Sequence, residues 1–369
     1  MRIAVNAGSF TNCEYKQVLH LALSHPEENF IFIFNKPFSE TFNFPGNVTA
    51  VVVPRKKDSL LKLKIWYRFK IPIALKTHKA DIFISKSYIS LKTKVSQLLI
   101  SPDLTFIFQP SFLTKKDLCF YKKNTPRFLN KADAILVNSD CLKKEIVGRF
   151  KINDEKIKVL YPQIGKDFTA LDFEEKELIK EKYAQGNEYF IYKGNISEQQ
   201  NLLNLLKAFS FFKKRQKSNM QLLITGNRGI NYEKFEESLR LFRFKKEVKV
   251  LENLSATETQ KIIASAYAMI YVPSYESEPW QALEAIKYKI PAIVSSIPVM
   301  HEYFGEAALY ADPENFKDIA EKMMQIFKDE KIRKQLIEKE KTEIEKFSNN
   351  NEDIIFQIIK NTATKNPFD

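Results

Sequence analysis

Residues 273–285 read Pro-Ser-Tyr-Glu-Ser-Glu-Pro-Trp-Gln-Ala-Leu-Glu-Ala and join a predicted strand at 269–272 to a predicted helix. Open α/β sheets bind ligands beyond the carboxyl ends of their strands, where the N–H groups of a helix N-terminus can meet a phosphate. In one interpretation, Glu276 in the turn lies near a reacting group and Glu284 in the helix accepts vicinal hydroxyls of a ligand. In the other, both glutamates only stabilise the positive end of the helix.

The sequence around this segment predicts a parallel sheet covered by helices. Strand-like apolar runs alternate with helical stretches such as 202–214, and the runs occur at 189–192, 221–225, 248–251, 269–272 and 292–295. Alternating strands and helices indicate a doubly wound α/β domain.

The first half of the chain shows the same alternation, with apolar or aromatic runs at 2–7, 30–34, 48–53, 81–84, 97–100 and 134–137. One hydrophobic core seldom organises 369 residues, so the chain predicts two domains. A charged helix at 171–183 should connect them. We expect Rossmann-like domains at 1–165 and 188–345, a linker at 166–187, and a tail at 346–369. The apolar helix of that tail, 354–359, could return to the first domain to bury its face.

The net charge of +13 is concentrated in the first half. Through Asp167 the chain carries 28 Lys and Arg against 14 Asp and Glu, whereas the remainder carries 30 against 31. A positive field of this kind attracts a membrane surface, a phosphorylated acceptor or nucleic acid. Nucleic acid is the least favoured partner, because no nucleic-acid-binding fold signature accompanies the charge.

One basic segment suggests a specific partner. Residues 55–57 and 60–70 interleave cations with aliphatic and aromatic side chains, among them Lys62, Lys64, Arg68 and Lys70. An interfacial helix that contacts an anionic membrane has this composition. The alternative is an ordinary amphipathic helix whose Trp66 and Phe69 pack inward while the lysines face water.

The cysteines and the first residues bear on the compartment. Cys13, Cys119 and Cys141 are far apart and form no zinc-binding pattern, which favours a reducing compartment and predicts no metal site. The first residues predict a strand rather than a signal peptide, and no apolar run reaches the ~20 residues of a membrane span. We expect a cytoplasmic protein that can contact the inner face of the membrane.

Several blocks, in order, resemble family 4 of the glycosyltransferases, whose members are group 1 glycosyl transferases. Residues 273–285 resemble the family's Glu-x7-Glu motif, and 290–295 and 302–313 resemble the stretches that follow it. Upstream, 192–196 and 201–209 resemble the family's glycine turn and donor-side helix, while 103–106 and 132–139 resemble landmarks of its acceptor domain. The resemblance implies the GT-B fold, in which two doubly wound Rossmann-like domains face each other across a cleft.

The resemblance also implies a role for each matching residue. Glu284 would hold the donor ribose, Glu276 would lie near the sugar as a catalytic residue, and Asp103 would be catalytic on the acceptor side. Gly194 and Asn195 would border the donor, since glycine permits a close approach. After Pro279, which has no N–H group, the diphosphate would meet the backbone of Trp280, Gln281, Ala282 and Leu283. Such enzymes use no cofactor or metal ion, because protein groups stabilise the leaving diphosphate.

The chain departs from the family pattern at two charged positions. The family carries Arg-Lys, or at least one cation, before the donor-side helix, where this chain has Gln199-Gln200. The acceptor-side motif has a histidine where this chain has Pro102. Losing one electrostatic donor at a developing oxyanion costs ~100 to 1,000-fold in rate.

Other cations could replace the missing charge. Lys193 and Arg228 both follow predicted strands and could reach the diphosphate, unless each is only a solvated cation at a strand end. His20, His25 and His301 are interpreted as surface or packing residues.

The resemblance predicts transfer of a sugar from a nucleoside diphosphate sugar to a hydroxyl of a glycan or lipid-linked acceptor, with the anomeric configuration retained. The competing hypothesis is a catalytically impaired relative that binds a nucleotide sugar, a glycan or a partner glycosyltransferase. Glu276 and Glu284 favour donor binding, whereas Gln199, Gln200 and Pro102 weaken the case for turnover.

Overall fold

A computed structural model of the chain describes residues 1–9, 12–37, 44–55, 60–86, 91, 93–100, 104–164, 170–347 and 351–364. Within these ranges the side chains of residues 9, 12–17, 60, 61 and 351 are outside the description. The chain divides into two compact units. The first comprises Met1–Tyr161 with Asn350–Asp369, and the second comprises Pro162–Asn349.

The first unit is built on a sheet of seven parallel strands, in the order β3-β2-β1-β4-β5-β6-β7. The strands are β1 (Arg2–Val5), β2 (Asn29–Phe34), β3 (Val48–Val52), β4 (Ile82–Ser85), β5 (Ser96–Ile100), β6 (Ala134–Val137) and β7 (Ile157–Val159). The order reverses between β1 and β4, which makes the sheet doubly wound.

The second unit has a sheet of six parallel strands with the same kind of reversal, in the order β10-β9-β8-β11-β12-β13. The strands are β8 (Tyr189–Lys193), β9 (Gln221–Thr225), β10 (Val248–Leu251), β11 (Ala268–Tyr271), β12 (Ala292–Ser295) and β13 (Ala308–Ala311).

Helices connect the strands of both units. They are α1 (Asn12–Ser24), α2 (Leu60–Ile65), α3 (Ile71–Thr77), α4 (Thr105–Phe108), α5 (Lys115–Lys131), α6 (Asp140–Phe150), α7 (Phe173–Ala184), α8 (Leu202–Gln216), α9 (Tyr232–Arg240), α10 (Ala256–Ala264), α11 (Trp280–Tyr288), α12 (Pro298–Phe304), α13 (Phe316–Lys328), α14 (Glu330–Glu343) and α15 (Asn351–Ala363). Among the described residues, no helix combines the length and apolarity that crossing a bilayer requires.

The first sheet is buried on both faces. Ile3 and Val5 of β1 belong to a buried cluster that includes side chains of α1 and α15, whereas Ala4 belongs to another cluster with Trp66 and Leu75. Successive side chains of a strand point to opposite faces, so a strand covered on both sides reads as a continuous apolar run. This explains why these strands were predictable.

The final helix, α15, packs against the first unit. Phe356 and Ile359 are buried in the cluster on the α1 side of the sheet. The His25 ring stacks on Phe356 with centroids 3.5 Å apart, and His20 Nδ1 lies 2.5 Å from Glu352 Oε1. Both histidines therefore fasten this helix, as the packing interpretation predicted.

The basic helical segment differs from its predicted packing. A π-helical turn at Trp66–Lys70 joins α2 to α3. Trp66 is buried and its Nε1–H donates to Val53 O over 2.8 Å, but Phe69 is 54% exposed. The prediction that both aromatic residues pack inward is therefore wrong for Phe69. A π turn holds more residues than an α turn, so positions three apart no longer share a face.

Most predicted strands are confirmed to within two residues at each end. Two strands were not predicted, β7 and β13, which are short strands at the edges of their sheets. The charged helix α7, assigned to a linker by sequence, falls in the second unit. There, Lys182 Nζ donates to Glu258 of α10 over 2.6 Å, and the Tyr183 hydroxyl donates to the same carboxylate.

The packing of α15 leads to a stability prediction. Ile359→Ala should lower the free energy of unfolding of the first unit by about 2–5 kcal/mol, because it removes a fully buried side chain and leaves a cavity. Denaturant unfolding is the measurement. Ile354→Ala is the matched control, because Ile354 lies on the same helix but is 43% exposed. Equal losses from the two variants would contradict this packing.

Candidate functional site

The topology of the second sheet brings two loops together. The strand order reverses between β8 and β11, which are hydrogen-bonded neighbours. In open α/β sheets, the loops that leave the carboxyl ends of two such strands border a ligand-binding crevice. These loops are 194–201 after β8 and 272–279 after β11.

Two glycines let the strand-end turns pack backbone against backbone. Gly226, with φ +150°, lies so close to Gly194 that a Cβ on it would be 1.8 Å from Gly194 O. Gly194, with φ +152°, donates its N–H to Thr225 O over 3.0 Å, and a Cβ there would be 2.6 Å from the Tyr192 hydroxyl. Only glycine adopts such backbone angles without strain and fits this space.

Asn201 fastens the start of α8 to the neighbouring loops. Its Nδ2 donates to Val272 O over 2.8 Å and to Pro313 O over 2.7 Å. Asn204 adds a bond of 3.0 Å to Pro313 O, and the buried Ser295 hydroxyl donates to Pro273 O over 2.5 Å. These residues position the loop after β11. Asn201 begins the stretch 201–209 that resembles the donor-side helix, but no role was predicted for its side chain.

An ion pair between Lys193 and Glu284 lies where the two loops meet α11. Lys193 is the last residue of β8, and its Nζ donates to Glu284 Oε1. The two side chains are 29% and 24% exposed. Glu284 Oε2 is buried and, within the described part of the chain, has no hydrogen-bond partner. A buried carboxylate oxygen without a donor is costly, so this position is suited to a ligand hydroxyl.

Glu276 occupies a separate, well-bonded position in the loop after β11. The Tyr271 hydroxyl donates to its Oε2 over 2.6 Å, and the N–H groups of Ser277 and Glu278 donate to its Oε1 over 2.9 and 3.1 Å. Burial raises the pKa of Glu276 to about 6, and these hydrogen bonds offset part of that effect because they favour the charged form.

Two buried tyrosines connect Glu276 to the glycine turn. Tyr271 stacks on Tyr192 with ring centroids 5.9 Å apart, and the Tyr192 hydroxyl donates to Asn195 O over 3.0 Å. Burial, followed by the negative charge of Glu276, raises the pKa of both phenols well above the usual value. Both therefore remain neutral donors. Sequence reasoning missed them because they read as apolar strand residues.

The first turn of α11 offers fewer free N–H groups than predicted. Trp280 N–H donates to Glu278 O over 2.8 Å, and Leu283 N–H donates to Pro279 O over 3.0 Å. Pro279 precedes the helix and provides no side-chain cap. Gln281 and Ala282 thus hold the two first-turn positions at which the helix itself supplies no acceptor.

Arg228 and His301 contact partners other than Glu276 and Glu284. Arg228 Nε donates to both oxygens of Glu252, over 2.9 and 3.1 Å, and its guanidinium lies 4.5 Å from the Tyr232 ring. Its charge is therefore paired with Glu252, although its backbone lies beside Ile196 of the loop after β8. His301 packs on Tyr310, with ring centroids 3.9 Å apart, as the packing interpretation predicted. Asp103 and Pro102 lie outside the described residues.

Across the described ranges, no group of three or more His, Cys, Asp and Glu side chains is arranged to hold a metal ion. Metal independence remains a prediction.

Two doubly wound parallel-sheet units define the GT-B fold. The chain is similar to the HepE protein of Anabaena, solved with UDP and glucose, with a TM-score of 0.74 and 12% identity over 99% of both chains. It is equally similar to WaaG, a glycosyltransferase involved in lipopolysaccharide biosynthesis, with a TM-score of 0.74 and 12% identity over the whole of both chains.

Sequence comparisons point to the same class. The family described as glycosyl transferases group 1 matches residues 173–343, which lie in the second unit. The O-antigen chain mannosyltransferase RfbU of Salmonella typhimurium is 26% identical over 276 residues, which cover 73% of this chain and 72% of the relative. The O-antigen chain mannosyltransferase B of Escherichia coli is 23% identical over 234 residues, or 63% and 61% of the two chains.

Proposed function

We propose that the chain is a glycosyltransferase that moves a hexosyl group from a nucleoside diphosphate sugar to a hydroxyl of a glycan or lipid-linked acceptor. The observation that carries the proposal is Glu284, whose buried Oε2 lacks a donor at the switch point of the second sheet. The names of the relatives, O-antigen chain mannosyltransferases, support a role in polysaccharide assembly.

In this proposal the second unit binds the donor. Glu284 accepts hydrogen bonds from two vicinal ribose hydroxyls, and its buried Oε2 takes one of them. The N–H groups of Gln281 and Ala282, at the positive end of α11, bind the diphosphate. Gly194 and Asn195 border the donor from the turn after β8.

The chemistry requires charge at two places. The bond between sugar C1 and the diphosphate oxygen breaks, and its electron pair leaves with the diphosphate. A bond forms between C1 and the acceptor oxygen on the same face, and the proton of the acceptor hydroxyl passes to the departing diphosphate oxygen. Glu276, when ionised, stabilises the positive charge that develops on the sugar ring. Asp103 is assigned to the acceptor side, and protein groups rather than a resident metal ion stabilise the diphosphate.

The role of Glu276 leads to a prediction for pH dependence. Its pKa is raised to about 6, so the carboxylate is charged above that pH and protonated below it. The kcat/KM for donor should therefore fall about tenfold per pH unit below pH 6. Glu278→Gln should move this acid-side fall in kcat/KM to lower pH, because the negative charge of Glu278 helps to raise the Glu276 pKa. An unchanged acid limb in Glu276→Gln would show that another group controls it.

Donor binding can be tested at Glu284. Glu284→Ala should weaken nucleotide-sugar binding, because hydrogen bonds to a charged group contribute about 1.5–3 kcal/mol each. Titration calorimetry with nucleoside diphosphates measures the effect. Glu321→Ala, which alters an exposed glutamate of α13 in the same unit, is the control. Wild-type affinity in the Glu284 variant would remove this residue from the donor site.

We further propose that one face of the first unit contacts an anionic membrane, from the cytoplasmic side. Ile65, Phe69 and Ile73 lie four residues apart and are 45%, 54% and 65% exposed. This apolar stripe is flanked by the cations Lys62, Lys64, Arg68 and Lys70, and the segment 60–77 contains no acidic residue. Exposed apolar side chains between cations suit the boundary between lipid headgroups and acyl chains.

The proposed membrane contact predicts salt-sensitive binding to vesicles. Co-sedimentation with vesicles of anionic lipid should be strong at low salt and decline as salt rises, since each cation contributes about 1 kcal/mol near such a surface. The double variant Phe69→Ala with Ile73→Ala should bind these vesicles more weakly than the wild-type chain at the same salt concentration. Leu23→Ala, which alters an exposed apolar residue elsewhere in the unit, serves as control. Absence of binding at low salt would contradict the proposed membrane contact.

A binding experiment separates this function from the alternative of an impaired relative, which is motivated by Gln199 and Gln200. Saturation-transfer NMR against a panel of nucleotide sugars identifies the donor, and a hydrolysis assay then measures turnover. Binding with turnover supports the transferase. Binding without turnover in the presence of any acceptor favours a binding subunit, and no binding contradicts both.

A further inference from the structure

The donor site needs a positive charge that the sequence does not place at the family position. Gln199 and Gln200 are neutral, and the Gln200 side-chain oxygen lies 3.5 Å from the Tyr192 hydroxyl. Arg228 is held by Glu252 and Tyr232. Of these candidate positions, only Lys193 carries a cation that is paired with Glu284 of α11.

The Lys193–Glu284 pair is also incomplete as a structural ion pair. Only Oε1 of Glu284 accepts from Lys193, while its buried Oε2 lacks a donor within the described residues. An ion pair that existed only for stability would be expected to satisfy both oxygens, because an unsatisfied buried acceptor is destabilising. The geometry suits a site that is completed by a ligand.

We propose that Lys193 changes partner when the donor binds, moving from Glu284 Oε1 to the diphosphate. The inference rests on the proposed donor class. Two vicinal hydroxyls engage both oxygens of Glu284 and displace the ammonium group. The diphosphate of the same ligand is the anion then available to it, and the flexible four-carbon stem of lysine allows the move.

This exchange gives Lys193 a catalytic function. As the bond from C1 to the diphosphate oxygen breaks, the electron pair adds negative charge to the diphosphate, and the ammonium group stabilises that charge. Lys193 thus replaces the cations missing at Gln199 and Gln200. Without a donor, the same lysine neutralises Glu284, so the site holds no isolated buried charge.

The exchange predicts opposite ligand selectivity for two variants. Lys193→Ala should weaken binding of a nucleoside diphosphate about tenfold or more but leave binding of the parent nucleoside unchanged or tighter, because Glu284 is no longer occupied. Glu284→Gln should weaken nucleoside binding while binding of inorganic pyrophosphate is retained. NMR titration of nucleoside, nucleoside diphosphate and pyrophosphate measures all three affinities.

Relocating the cation gives a second test. Lys193→Ala should lower turnover about 100-fold or more, and adding Gln200→Lys to that variant should restore about tenfold or more, since the charge returns to the family position. Lys207→Ala, which changes an exposed lysine of α8, is the control. Thermal unfolding of each variant shows whether it is folded. Recovery of turnover in the double variant would show that the loss in Lys193→Ala does not come from misfolding.

The outcomes separate this inference from the proposed function. Equal weakening of nucleoside and nucleoside diphosphate in Lys193→Ala would assign the lysine a purely structural role and overturn the exchange. Unchanged diphosphate affinity would overturn it as well. If the wild-type chain binds nucleoside diphosphates but transfers no sugar, the transferase proposal fails, while the selectivity measurements still test the exchange.

Discussion

The Lys193–Glu284 ion pair connects the last residue of β8 to the helix that follows β11. These two strands flank the point at which the second sheet reverses its order, and loops at such a point commonly bind ligands in open α/β sheets. The two carboxylate oxygens of Glu284 differ in their environment. Oε1 accepts from Lys193, whereas Oε2 is buried without a donor among the described residues. The remaining contacts of the site keep these two side chains in place.

Backbone packing supplies most of that support. Gly194 and Gly226 allow the turns after β8 and β9 to touch directly, and Asn201 ties the start of α8 to the carbonyls of Val272 and Pro313. Stacked Tyr192 and Tyr271 fill the space beneath and present neutral hydroxyls. A rigid, preorganised frame lets charged groups act on developing charge without first having to reorient.

The sequence predicts much of this organisation because the signals are local. Apolar runs fixed most strands, and the motif at 273–285 placed Glu276 and Glu284 after one strand. Partner choice was not local. Lys193 and Arg228 both follow strands in the sequence, yet one pairs with Glu284, 91 residues away, and the other with Glu252. Phe69 is exposed because the π turn at Trp66–Lys70 holds more residues than an α turn and places Phe69 on a different face from Trp66. A prediction that assumes α-helical spacing does not detect such a turn.

A crystal structure of the chain with a bound nucleoside diphosphate sugar tests the central claim most directly. We predict that Glu284 contacts two ribose hydroxyls, that its pair with Lys193 is broken, and that Lys193 Nζ lies within hydrogen-bond distance of a phosphate oxygen. An intact Lys193–Glu284 pair beside a bound donor, with the diphosphate contacting other cations, would contradict it.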